Sequence, residues 1–110
     1  MSAYRFMWLM ILFDMPTDTK KARKKYRYLR NKLLKEGYSM MQFSIYIRSF
    51  HSYEAAINGK KKIKNFAATN TLKGKIRLII FTDKQFANME IIVGTKSEEE
   101  KNALKQLLLF

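Results

Sequence analysis

The longest apolar segment of the chain runs from Phe6 to Phe13 without a polar residue. Such a run is typical of a strand covered on both faces, because a half-exposed strand alternates apolar and polar positions. Asp14 ends the run, and Pro16 disfavours helical geometry at Met15. The pattern therefore predicts a buried first strand that leaves the sheet at Asp14.

A helix is predicted over residues 19–36. Four apolar side chains recur at spacings of four, three and four, which places them on one helical face: Ala22, Tyr26, Leu29 and Leu33. Thr17 or Thr19 can cap the first turn, and Asp18 suits its positive end. Gly37 stands where a left-handed C-terminal cap belongs.

The later elements follow from shorter patterns. Residues 38–50 alternate and predict one long strand, or two short strands joined at a kink near Gln42. The alternation would place Met41, Phe43, Ile45 and Ile47 on one face, and Gln42, Ser44, Tyr46 and Arg48 on the other. Further along, the chain predicts a helix over 53–66, a strand over 76–82, a polar connection over 83–88, a short strand over 91–93 and a helix that begins at Ser97.

This order of elements fits an α+β fold, a ferredoxin-like βαββαβ sandwich with two helices on one face of an antiparallel sheet. Residues 1–94 would form that domain, and residues 95–110 would add a C-terminal capping or docking helix. Only one sheet face is covered by helices in this fold, yet the first strand is apolar on both faces. The open face must therefore meet a partner, most simply a second copy of the chain, so a homodimer is predicted.

The excess of positive charge in the sequence indicates a polyanionic ligand. The 110 residues include 22 Lys and Arg against 9 Asp and Glu, a net charge of +13. A lysine-rich helix is often only a solvated surface, but such a surface usually mixes signs to gain ion pairs. Here one sign dominates, which favours binding to a phosphate backbone without reading base sequence. The candidate contacts are Lys20, Lys21, Arg23, Lys24, Lys25, Arg27, Lys60, Lys61, Lys62 and Lys64.

Other chemistries are excluded or disfavoured by composition. The absence of cysteine excludes disulfides, zinc–thiolate sites, iron–sulfur clusters and thiol catalysis. With His51 as the only histidine, a metal site within one chain must rely mainly on oxygen ligands. No apolar stretch approaches the roughly 20 residues of a membrane span, and the start of the chain lacks the pattern of a secretory signal. A cytoplasmic location is expected.

Asp14 is the candidate catalytic and metal-binding residue. A carboxylate at the end of a buried strand is costly unless it is paired, hydrogen-bonded or metal-bound. It could also be an ordinary turn or capping residue. Because one carboxylate makes a poor site, two copies of Asp14 across a dimer axis would hold Mg²⁺ better, mostly through waters and the phosphate itself. Asp18 and Asp83 are further candidates.

Several segments together resemble the small CRISPR-associated spacer-acquisition subunits. The resemblance rests on the first strand ending in Phe13-Asp14, the basic helix closed by Gly37-Tyr38, the segment from Gln42 to Tyr46, and the segment from Thr82 to Met89 followed by Gly94. It covers about Trp8 to Gly94. Phe13 stands where tyrosine is frequent in the family, and Met40 where some members carry arginine.

The resemblance implies a ferredoxin-like homodimer whose short last strand joins the partner's sheet. It also implies a dimer that bridges pairs of the larger CRISPR integrase subunit and holds the prespacer duplex on a basic surface. Asp14 matches the Mg²⁺ ligand of a nuclease that acts on RNA or double-stranded DNA, an activity that varies among members. Whether this chain is an enzyme stays open.

Three functions are therefore considered. The first is a structural DNA-binding subunit of the spacer-acquisition complex. The second is a Mg²⁺-dependent endonuclease that uses paired Asp14. The third is an unrelated ferredoxin-like module that binds RNA or a small ligand.

Overall fold

The computed structural model describes residues 6–93 of the chain. Its elements, in chain order, are β1 (Met7–Asp14), α1 (Lys20–Lys35), β2 (Ser39–Gln42), β3 (Ile45–Phe50), α2 (Tyr53–Thr69), β4 (Lys75–Thr82) and α3 (Asp83–Ala87). The helix predicted from Ser97, and with it the segment 95–110, lies outside the described residues. Within residues 6–93, no helix combines the length and apolar character that crossing a membrane requires.

The strands form one antiparallel sheet in the order β2-β3-β1-β4. β1 lies in the interior of the sheet and pairs with β3 on one side and with β4 on the other. The β1–β4 register runs from Met7 opposite Thr82 to Asp14 opposite Lys75. This strand order, with α1 and α2 as the two crossover helices, is ferredoxin-like and confirms the predicted α+β class.

The two faces of β1 enter two separate apolar clusters. Leu9, Ile11 and Phe13 pack beneath the helices, together with Leu29 and Leu33 of α1, Tyr46 of β3 and Ile63 of α2. Trp8 and Met10 point to the opposite face, where they join Ile47 and Phe86. The alternation of these side chains confirms that β1 is buried on both sides.

The ends of α1 follow the sequence signals. The Thr19 hydroxyl accepts a hydrogen bond from the Ala22 amide at 3.0 Å, which makes Thr19 the N-terminal cap. Gly37 has a φ of +89°, in the left-handed region that favours glycine. The amide of Tyr38 then donates to the carbonyl of Leu33 at 2.9 Å and closes the last turn.

The segment 38–50 is a hairpin of two short strands, the second of the two predicted alternatives. Its turn contains Phe43 and Ser44, and Ser44 takes a positive φ of 66°. The expectation that Phe43 shares a strand face with Ile45 and Ile47 is wrong, because Phe43 lies in the turn with 76% of its surface exposed. There it stacks on Tyr26 of α1, with 5.8 Å between ring centroids.

The predicted polar connection over 83–88 is instead the short helix α3. Thr82 and Gln85 form a reciprocal capping box: the Gln85 side chain accepts from the Thr82 amide at 2.8 Å, and the Thr82 hydroxyl accepts from the Gln85 amide at 3.1 Å. Phe86 then stacks on Trp8 with 4.3 Å between centroids. The second sheet face is therefore covered at this end, while Ile79 remains 52% exposed.

Residues 91–93 do not form the predicted strand in this single chain. Ile92 and Val93 are 92% and 90% exposed. The physical reason is that β-propensity alone fixes no strand. The backbone needs a neighbouring strand to pair with, and none of the strands within residues 6–93 pairs with this segment.

Gly59 allows α2 to approach the sheet closely. A Cβ atom at this position would lie 2.5 Å from Cζ and 2.9 Å from Cε1 of Phe50. Phe50 is itself held beneath Arg48, whose guanidinium lies 4.4 Å from the ring centroid. The glycine that weakens the helix by propensity is therefore required by packing.

We predict that Gly59→Ala destabilises the protein. Alanine would gain about 1 kcal/mol of helix propensity, but overpacking against Phe50 costs about 1–3 kcal/mol, so a net loss of up to about 2 kcal/mol is expected. Urea unfolding measures the difference. Asn58→Ala, on the exposed side of the same helix, is the control and should leave stability unchanged or slightly higher. A Gly59→Ala protein as stable as the wild type would contradict the close packing.

Candidate nucleic-acid interface

Helix α1 is cationic around its whole exposed circumference. Nine of its 16 residues are Lys or Arg, and none is acidic. The helical repeat sorts these side chains into three stripes. The outward stripe contains Lys20, Lys24, Arg27 and Lys35; the stripe that faces α2 contains Lys21, Lys25 and Lys32; and the opposite flank contains Arg23 and Arg30.

The cations are concentrated at the wrong end of the helix for stability. The first six residues of α1 include five Lys or Arg, and its first turn has no acidic residue. The helix macrodipole places partial positive charge at this end, so each exposed cation is unfavourable by up to about 1 kcal/mol. A bound anion would offset this repulsion. The arrangement is therefore typical of a surface selected to meet negative charge.

The fold does little to neutralise this charge. Residues 6–93 contain 18 Lys and Arg and 6 Asp and Glu. Within that range the structure shows one ion pair, between Lys32 and Glu36 at 2.9 Å. The hydrogen bond and charge of Lys32 lower the pKa of the Glu36 carboxyl, with a smaller contribution from Lys62. Most of the positive charge in this range is therefore not matched by a carboxylate of the same range.

Contacts between α1 and α2 define a seam on the outer surface of the helix layer. Lys25 of α1 donates to the backbone carbonyl of Asn70, at the end of α2, at 2.5 Å. Further along, Lys32 lies over the ring of Phe66 at 5.6 Å. Lys62, one turn before Phe66, completes the cationic side of the seam.

The lysines predicted on α2 are not all part of this surface. Lys62 faces α1, whereas Lys60 and Lys64 lie on the opposite flank of α2 and Lys61 points outward. These lysines are close together in the sequence, but the side chains of successive residues point about 100° apart around a helix axis. Lys62 therefore lies beside the stripe of α1 that faces α2, whereas Lys60 and Lys64 lie away from it.

A cavity of about 540 Å³ opens at the start of α1. Lys21 and Lys25 line it from the helix, and Lys73 from the loop after α2, with Asp18 as the acidic residue among its lining side chains. Lys73 was not among the predicted contacts. The alternating cations at 73, 75 and 77 were visible in the sequence, but only the fold brings the first of them beside α1.

Asp14 is exposed, so the expectation that burial makes its charge costly is wrong. The helices do not cover the last residue of β1. Asp14 lies opposite Lys75 in the sheet register. Next to it, the Phe13 amide donates to the Ser44 carbonyl at 3.0 Å, so Asp14 adjoins the β2–β3 turn. The carboxylate is open to solvent and to a ligand.

The other two carboxylates do not complete a metal site with Asp14 in one chain. Asp18 lines the cavity, but Asp83 is buried beside Phe6, whose amide donates to its Oδ2 at 3.4 Å. That is the opposite end of β1, roughly 23 Å away at the rise of a strand. Among residues 6–93, no three His, Cys, Asp or Glu side chains cluster closely enough to hold a metal ion. Asp14 alone fits Mg²⁺ only as a shared ligand, since Mg²⁺ keeps several waters and takes one or two carboxylates plus phosphate oxygens.

The polar side chains of the β2–β3 hairpin and of His51, which follows it, do not come together as a second reactive site. Tyr46 is buried in the core, and Ser44 shares a hydrogen bond with the Tyr26 hydroxyl at 3.2 Å. Gln42 and His51 are exposed and lie on different segments. A nucleophile activated by His51 is not assembled here.

Fold and surface together define the class: a ferredoxin-like protein with a cationic helix layer and an exposed carboxylate at the end of its first strand. Residues 7–89 match the family model of the CRISPR associated protein Cas2. The chain is 44% identical, over all of its length and 93% of the relative's, to the CRISPR-associated endoribonuclease Cas2 of Flavobacterium psychrophilum. It is 39% identical to that of Parvibaculum lavamentivorans, over 94% of this chain and all of the relative, and 37% identical to that of Streptococcus mutans, over 93% and 91%.

The chain belongs to the CRISPR associated protein Cas2 family. The family membership that the sequence resemblance indicated is thereby confirmed, and the alternative of an unrelated ferredoxin-like module is removed.

We predict that Asp14→Ala changes the free energy of unfolding by less than about 1 kcal/mol. Asp14 is exposed, and its cross-strand neighbour Lys75 contributes at most a modest pair interaction. Thermal and urea unfolding of the two proteins measure the change. A larger loss would show that the carboxylate supports the fold, and activity data on this variant would then no longer report on chemistry alone.

Proposed function

We propose that this chain is the structural DNA-binding subunit of a CRISPR spacer-acquisition complex, in which its homodimer bridges integrase dimers and holds the prespacer duplex. The observation that carries the proposal is the excess of positive charge on α1, with five cations at the positive end of a helix macrodipole. Family membership supplies the biological setting. Backbone phosphates are the ligand that this chemistry suits, since clustered Lys and Arg contact them without reading sequence.

The exposed apolar surface supports a dimer. Ile79 lies half-exposed on the sheet face opposite α1 and α2, and Ile92 and Val93 are almost fully exposed after α3. Adjacent exposed β-branched residues favour pairing with another strand, and a second copy would supply one. In such a dimer the sheets would lie inside and both α1 helices outside, available to one continuous duplex.

Neutralising the outward stripe of α1 should weaken duplex binding. The variant replaces Lys20, Lys24 and Arg27 with Gln and leaves Lys25 in place, since Lys25 also holds α2 through Asn70. We expect loss of affinity for duplexes of any sequence, and a plot of log affinity against log salt that is less steep by about 2 to 3. Fluorescence anisotropy over a salt series measures both quantities.

Lys84→Gln is the control for that experiment, because Lys84 is an exposed cation on α3, away from the helix layer. It should leave affinity and salt slope nearly unchanged. An equal loss per charge removed in the control would mean that net charge, and not the α1 surface, governs binding. A loss confined to one duplex sequence would contradict backbone recognition.

A second candidate function is Mg²⁺-dependent cleavage of RNA or double-stranded DNA. It is favoured by the name of the relatives, which are called endoribonucleases. Two Asp14 carboxylates, one from each protomer, would hold the ion against a phosphate of the bound strand. Mg²⁺ supplies stabilisation of the charge that develops on the phosphate and lowers the pKa of a bound water. The cations of α1 would position the strand.

If this second function operates, Asp14→Asn should abolish cleavage while leaving duplex affinity within about twofold of the wild type, because α1 is unchanged. Labelled single-stranded RNA and duplex DNA, each incubated with Mg²⁺ or with a chelator, measure cleavage and binding in the same samples. Cleavage that persists in the chelator or in Asp14→Asn would contradict an Asp14 metal site. If both proteins bind and neither cleaves, only the structural DNA-binding role is supported.

A further inference from the structure

Tyr28 is an exposed aromatic side chain in the middle of the cationic helix layer. It lies on the α2-facing side of α1 yet keeps 53% of its surface exposed. Its ring stacks on Phe66 of α2, with 5.3 Å between centroids and 29° between planes. Phe66 is half-buried against the core. One side of the tyrosine ring therefore has a partner, and much of the remainder is in contact with water.

The seam holds this aromatic pair in place from both sides. One turn before Tyr28, Lys25 donates to the Asn70 carbonyl. One turn after it, Lys32 lies over the Phe66 ring and pairs with Glu36. These contacts link α1 and α2 on either side of the rings. An exposed ring with so little freedom loses little entropy when it stacks on a ligand.

Cations flank the ring at the spacing of helical turns. Lys24 precedes Tyr28 by one turn and Lys21 by two, and Lys62 lies across the seam. Glu36, the acidic residue nearest along the seam, is already paired with Lys32. The ligand that fits is one that presents a flat aromatic group between negative charges.

We infer that Tyr28 is a stacking platform for an unpaired base of a single-stranded DNA or RNA, whose phosphates lie on Lys21, Lys24 and Lys62. Bases in a duplex stack on each other and offer no free ring face, so a duplex would use the cations without the tyrosine. The inference rests on the proposed nucleic-acid function and deepens it: the same surface distinguishes strands with unpaired bases from closed duplexes.

Tyr53 provides a matched comparison within the chain. It is also an exposed helical tyrosine, with 58% of its surface accessible, at the start of α2. Its neighbours in that first turn are Glu54, Ala55 and Ala56, and the first lysine of α2 is Lys60, two turns away, so Tyr53 has an aromatic ring without a cation within one turn on its helix.

The test places a tryptophan at each position. The chain has one native tryptophan, Trp8, which is 4% exposed and stacked on Phe86, so it contributes a nearly constant background. Tyr28→Trp and Tyr53→Trp are titrated with oligo(dT), with oligo(U) and with a blunt duplex, and emission is followed together with anisotropy of the labelled nucleic acid. We expect both single strands to quench Tyr28→Trp, the duplex to bind without quenching it, and Tyr53→Trp to stay unquenched.

A second set of variants gives the affinity. Tyr28→Leu keeps an apolar cover over Phe66 but removes the ring, and should weaken single-strand binding by about fivefold to a hundredfold while leaving duplex binding unchanged. Tyr28→Phe should retain most of the wild-type affinity. Equal quenching by duplex and single strand, equal quenching at both positions, or an unchanged affinity in Tyr28→Leu would overturn the stacking site. If the wild type does not bind the duplex at all, the proposed DNA-binding function fails. If it binds the duplex but shows one of the three results above, only the stacking site fails.

Discussion

The burial of β1 on both faces is the constraint on which the rest of the structure depends. Because this strand lies inside the sheet and carries apolar side chains on both sides, each sheet face must be covered. α1 and α2 cover one face through Leu29, Leu33 and Ile63. Phe86 of α3 covers part of the other by stacking on Trp8. α3 leaves Ile79 half-exposed on that face, and the proposed dimer would bury it.

Much of this could be predicted from the sequence, where local signals are strong. The unbroken apolar run gave β1, and the stripe from Ala22 to Leu33 gave α1 with its caps. α3 was missed because a five-residue helix is too short to show a period, although its capping box between Thr82 and Gln85 was a readable signal. The strand expected over 91–93 failed for another reason. Strand formation depends on a neighbour that local sequence does not specify.

The candidate site was predictable by residue type and less so by arrangement. The excess of cations on α1 is a matter of composition and helical period, so it could be seen directly. The division of the α2 lysines depends on the rotation of that helix about its axis, in which Gly59 faces Phe50. The exposure of Asp14 depends on where the covering helices end, and Tyr28 gains its stacking partner Phe66 only when the two helices meet. Each of these is a tertiary effect.

The crowding of like charge on α1 has a consequence for how the protein responds to its solution. Cations within about 10 Å of one another still repel at ordinary ionic strength, because that distance is about the Debye length. Added salt shortens the Debye length and weakens the repulsion, so it should make the free chain more stable. The same salt competes for the phosphates and should loosen any bound strand. Folding and binding therefore oppose each other as ionic strength rises. A strand that binds at low salt takes over the role of the counterions, and the fold is then stabilised by its own ligand.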